Sequence, residues 1–77
     1  MPEILRREGY KFIIYFNDHD PRHVHVEKGG GRAKVMLEEE IEIRSFSGFK
    51  SKELRKILGI IVEHYDHLIQ KWDETVN

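Results

Sequence analysis

Three histidines, His19, His23 and His25, fall within seven residues, flanked by Asp18 and Asp20 and followed by the basic side chains of Lys28, Arg32 and Lys34. Imidazole titrates at about 6.5, nearest neutrality of any side chain, so such a cluster can serve acid–base chemistry, phosphate binding or metal binding. In an extended chain His23 and His25 project from one face, about 6–7 Å apart along the strand. Two rings so placed can converge on one metal ion or clamp one phosphate. A catalytic zinc site takes three protein ligands and keeps an open position, and His19, Asp18, Asp20 or Glu27 would have to supply the third.

No segment supplies a complete ligand signature, so metal-free acid–base or phosphate contact ranks first, with no cofactor. A divalent ion on His19, His23 and His25 is the metal-bound alternative. In the metal-free scheme one imidazole takes a proton from the nucleophile and another protonates the leaving oxygen. His23 and His25 are the expected catalytic pair and His19 the third member, while Arg22, Lys28, Arg32 and Lys34 hold phosphate and stabilise developing charge. The plain alternative is that the histidines occupy the wet face of an antiparallel strand.

Several elements must position these residues. Ile4 and Leu5 begin a short strand that ends at Gly9, and Tyr10 to Phe16, rich in aromatic and β-branched residues, reads as a central strand. Asn17 to Pro21 is a polar loop in which Pro21 pushes Asp20 into an extended conformation. His23 to Glu27 alternates strictly, so Val24 and Val26 oppose the histidines and Glu27. Gly29, Gly30 and Gly31 turn the chain into a second alternating run, Arg32 to Leu37, which makes a β-hairpin. The glycines lack the spacing of a phosphate-binding P-loop, and no helix follows them directly. Ile41 and Ile43 fit either a short edge strand or, through Phe46 and Phe49, an apolar loop or helical turn. Ser51 is the expected N-cap of a long final helix, with Glu53 near its positive end. Leu54, Leu58, Ile61, Tyr65, Leu68 and Trp72 form its apolar stripe, widened by Ile57 and Ile69.

The expected architecture is a single α+β domain, a small, mostly antiparallel sheet of about four strands with the C-terminal helix on one face. Val24 and Val26 suit the helix side, which places the histidines opposite. Tyr10, Phe12, Tyr15 and Phe16 are expected mainly in the core, with Tyr10 and Tyr15 the candidates for stacking on unpaired bases. His64 and His67 read as solvated helix surface, and Glu38 to Glu40 as a solvated turn.

Seventy-seven residues allow one compact core. Cysteine is absent, which excludes disulfides and thiolate metal cages and fits a reducing cytosol. No signal-peptide pattern and no apolar run of about 20 residues is present, so a soluble chain without membrane contact is expected. The net charge of −1 argues against a general nucleic-acid coat. Yet the charges are segregated, with Lys28, Arg32 and Lys34 around the glycines and Glu38, Glu39, Glu40 and Glu42 directly after.

The stretch MPEILRREGYKFIIYFNDHDPRHVHVEKGGGRAKV and the closing GFKSKELRKILGIIVEHYDHLIQKWDE resemble, over nearly the whole chain, a small bacterial family catalogued as domain of unknown function 4160. The shared pattern is an MPxILR opening, an aromatic strand, a polar turn, HVHV, a glycine turn and a GFxxxELRxI helix ending in Trp. Members tend to be encoded beside an uncharacterised partner, in an arrangement like that of toxin–antitoxin pairs. The resemblance therefore implies a cytoplasmic bacterial protein that binds a cognate antitoxin-like protein and takes the toxin-like role. Its characteristic polar positions fall on His19, His23 and His25, with Pro21 and Gly29 to Gly31 shaping the backbone. Where the family often has proline before the second histidine, this chain has Arg22.

Two readings follow, besides the metal site. One is a toxin-like protein that cleaves nucleic acid at the histidine face. The other is a non-catalytic module that docks a partner protein through that face or by strand addition.

Overall fold

A computed structural model describes residues 3–19 and 21–76. The alternating runs become strands β1 (Glu3–Arg7), β2 (Tyr10–Ile13), β3 (His23–Lys28), β4 (Gly31–Leu37) and β5 (Ile41–Ser47). They form one antiparallel meander in chain order, β1-β2-β3-β4-β5. Helices α1 (Ser51–Glu63) and α2 (Tyr65–Val76) follow. Phe12, Val24, Val26, Val35 and Leu37 from the sheet share one fully buried core with Ile57, Ile61 and Leu68 from the helices. No described helix is long and apolar enough to cross a membrane.

The sheet has five strands where about four are expected, because the undecided segment after Glu40 is strand β5. Ile41 and Ile43 pair with Leu37 and Val35 and pack against the core, whereas Phe46 is 55% exposed. Phe49, beyond the strand, is buried against Tyr10, with ring centroids 6.0 Å apart. It rests on Gly31, where a Cβ would stand 2.6 Å from its Cε1. The third glycine of the triplet is thus the close-packed first residue of β4, and Gly29 and Gly30 make the turn.

The expected single helix is two. At His64 the backbone leaves helical values, with φ −112° and ψ 23°. His64 N–H still donates to Ile60 O, and Leu68 N–H donates to His64 O, each at 3.0 Å. Of the expected stripe Ile57, Ile61, Leu68 and Trp72 are buried, Leu54, Leu58, Tyr65 and Ile69 are half-buried against the core, and Ile60, not expected in it, is buried as well. Tyr65 Oη donates to Leu37 O at 2.8 Å and fixes the start of α2 to the end of β4.

Three local expectations change. The N-cap is Lys50 rather than Ser51, and Glu53 Oε1 accepts its backbone N–H at 3.1 Å. The second strand ends at Ile13, which leaves Tyr15 and Phe16 in the following loop. His64 and His67 are half-buried rather than solvated, and a ring nitrogen of His67 lies 3.2 Å from Ile4 O.

Candidate functional site

A tight turn after β2 brings the carboxylate into place. Asp18 N–H donates to Tyr15 O at 2.9 Å, and Tyr15 N–H donates back to Asp18 Oδ2 at 3.0 Å. This reciprocal pairing is the local habit of Asp in turns. Here it also aims Oδ2 at the start of β3.

The pleat sets His23 and His25 on one face, as expected, with ring centroids 5.0 Å apart. Each Nε2 lies 3.5 Å from the same Asp18 Oδ2. The ligand atoms of Asp18, His23 and His25 all fall within 4.8 Å of one another. In a tetrahedral set with bonds of about 2.0–2.2 Å, donors stand about 3.4 Å apart. The two carboxylate-to-imidazole distances already match that edge.

The hydrogen bonds select the protonation pattern. His23 Nδ1 lies 2.9 Å from Pro21 O. A carbonyl only accepts, so Nδ1 carries the hydrogen, and in the neutral ring Nε2 presents a lone pair toward Asp18. Such a carbonyl partner on the far nitrogen is the usual support of a metal-binding histidine. His25 Nε2 is buried and has no hydrogen-bond partner among the described residues. Burial pushes the His25 imidazole below its usual range; the Asp18 carboxylate opposes this, while His23 and Lys34 add to it. Two imidazoles and a carboxylate therefore converge on one point. A cation there would take a lone pair from each of the three side chains, displacing any ring proton directed at Asp18.

His23 does not stand in solvent on the face away from the helices. Its side chain is only 8% exposed, and its ring meets Trp72 of α2 edge-on at 5.1 Å. His25, 27% exposed, has Tyr15 edge-on at 5.1 Å. The valines opposite do face the helices as expected, fully buried in the core.

The other expected site residues divide. His19 is exposed on the rim of the same cleft, outside the three-ligand cluster, so Asp18 takes the third position that the His19, His23 and His25 set gave to His19. Asp20, the other candidate carboxylate of this loop, lies outside the described residues. Arg22 turns toward α2, with Nη2 3.6 Å from Asp73 Oδ1. Lys28 is on the wrong face, because odd positions of β3 carry the histidines. Its Nζ sits 4.4 Å above the Tyr10 ring and donates to Glu8 O at 3.1 Å. Lys34 pairs directly with His25 across β3 and β4, and Arg32 pairs with Glu27. Lys34 lines the cleft of about 370 Å³ that holds the cluster.

Arg44 lines that cleft too and was not singled out. Lys34 pairs with Ser45 but Val35 pairs with Ile43, so Arg44 is the extra residue of a β-bulge. Bulges re-aim side chains in this way and leave no reliable mark in the sequence.

Neither the curated proteins nor the solved structures contain a significant match to this chain. A family model described as "Domain of unknown function (DUF4160)" matches residues 9–73, which include the whole histidine cluster, the sheet from β2 onward and most of both helices. The chain belongs to the DUF4160 family.

Proposed function

We propose that Asp18, His23 and His25 hold one divalent transition-metal ion and that the site hydrolyses a phosphodiester. The observation that carries this reading is the convergence of both Nε2 atoms on one carboxylate oxygen, each at 3.5 Å. The metal-free scheme is weaker for the same reason. A phosphate between the two rings would meet the Asp18 carboxylate, whereas a cation is attracted to it.

A donor set of two imidazoles and one carboxylate suits zinc, iron or manganese and leaves coordination positions for substrate. A bound ion would supply Lewis acidity and acidify a water, which would release its proton to solvent before it attacks. Hydrolysis forms a bond from the water oxygen to phosphorus, breaks the ester P–O bond and protonates the leaving oxygen. In this scheme Lys34 and Arg44 face the non-bridging oxygens, and His19, left free on the rim, donates the proton. The Pro21 carbonyl and Trp72 hold the His23 ring in its tautomer and orientation.

Within the toxin–antitoxin arrangement that the family resemblance implies, this activity belongs to the toxin-like member and the partner protein covers or remodels the site. β5 supports partner binding, since it ends the sheet and carries the exposed Phe46. A strand of the partner can add along that edge.

The test is metal content and affinity in protein purified without a histidine tag. One zinc or manganese per chain is expected, with affinity reduced at least about 100-fold in Asp18→Asn, more than is typical for loss of an outer-shell partner. A wild-type chain that holds no metal, or an Asp18→Asn chain that binds as well as wild type, rejects the reading.

A further inference from the structure

His25 and Lys34 line two clefts at once. One, of about 370 Å³, contains the ligand cluster; the other, of about 420 Å³, has walls from Tyr15, Arg32, Ser45 and Ser47. The clefts adjoin at these two side chains, which stand at the middle of a groove on the sheet face opposite the buried Val24 and Val26. Cross-strand register gives this groove a repeat. Lys34 pairs with Ser45, and one step along the same face Arg32 pairs with Ser47. Each rung offers a cation and a hydroxyl, and the two cations are about 7 Å apart along β4.

We propose that the groove carries a short stretch of single-stranded nucleic acid, with one phosphate at the Lys34 rung beside the metal ligands and the next at the Arg32 rung. A repeated cation and hydroxyl pair fits a ligand whose anionic group also repeats, and hydroxyls and cations are the usual phosphate contacts. Tyr15, half-buried beside His25, gives an aromatic wall on which an unpaired base can stack. The chain as a whole, at −1, has no field to hold a duplex. At the Arg44 end a third cleft is lined by Glu38, Glu39, Glu40 and Glu42. This acidic wall repels further phosphates and limits the track to the Arg32 side. Glu27, across from Arg32, offsets part of its charge, so binding is modest and sensitive to salt.

The inference rests on the phosphodiester reading for the class of scissile group, but its contacts lie beyond the metal ligands. The test measures anisotropy of a labelled oligouridylate of about six nucleotides and of the matching duplex, on zinc-loaded wild type and on Arg32→Gln and Tyr15→Leu. Single-strand affinity is expected to exceed duplex affinity and to fall several-fold in each variant, with zinc affinity of Arg32→Gln unchanged. Two phosphate contacts predict a slope of about −1.4 for log K against log salt. Duplex binding as tight as single-strand binding, or Arg32→Gln binding as wild type, overturns the track. If the oligonucleotide fails to bind while the protein holds zinc and cleaves bis(p-nitrophenyl) phosphate, the track fails and the metal reading stands. If the oligonucleotide binds but no metal does, the metal reading fails and the track stands.

Discussion

Asp18 is shared by a backbone N–H and two imidazoles, and the balance at His25 sets a pH response. Its ring is held below the ordinary value of 6.5 chiefly by burial, with Asp18 opposing and His23 and Lys34 reinforcing. The folded chain thus binds fewer protons than the unfolded chain just below that value, so stability rises with pH there. The metal-free protein should keep this contribution above about pH 6.5 and lose it on acidification. Thermal melts with chelator across that interval check it, and His25→Gln should flatten the profile. A wild-type chain that gains stability on acidification, with no such slope removed by His25→Gln, would contradict the assignment. Period two made the pairing of His23 with His25 legible in the sequence. The choice of Asp18 over His19 was not, because it depends on a turn in which a backbone N–H captures the same carboxylate oxygen that faces the rings.

At the scale of elements, the sheet depends on how closely β4 and the chain beyond β5 approach. Gly48, at φ 80°, packs its own Cβ position 2.8 Å from Gly31 Cα, and Gly31 in turn has no room for a Cβ beneath Phe49. Gly31→Ala should therefore destabilise by about 1–3 kcal/mol through overpacking. Gly30→Ala, at a position with open space around it, serves as the control. Urea unfolding of both variants measures the difference, and equal stability would show that Phe49 can shift at little cost. The hairpin from β3 to β4 was legible from alternation and the glycine turn. β5 was not, since its bulge breaks the alternation that marks a strand. Most of the helix stripe was legible, but the burial of Ile60 and the interruption at His64 were not. Hydrogen bonds run across it on both sides, and the sequence there carries neither proline nor glycine.

Over the whole molecule, the two faces of the sheet do different work. One is covered by α1 and α2 and holds the apolar core; the other stays open and gathers the cluster, Lys34, Arg32 and the serines of β5. The expected α+β arrangement with valines inward was legible because β-branched residues and a helical stripe leave few ways to bury both. The expected isolation of the histidines from the helices was not met at His23, because α2 brings Trp72 to the start of β3. That contact makes the site visible by light. Trp72 is the chain's single tryptophan, buried to 1% exposure, with its ring 5.1 Å from that of His23, one of the proposed ligands. Cobalt or copper bound at His23 should quench its emission in a saturable way, at one equivalent. Zinc should compete the quenching away, and Asp18→Asn should shift the titration to higher concentration. Emission unchanged by any of these ions would mean that none binds beside this ring. The indole that closes the hydrophobic core thus also reports, from inside the protein, on what occupies the opposite face.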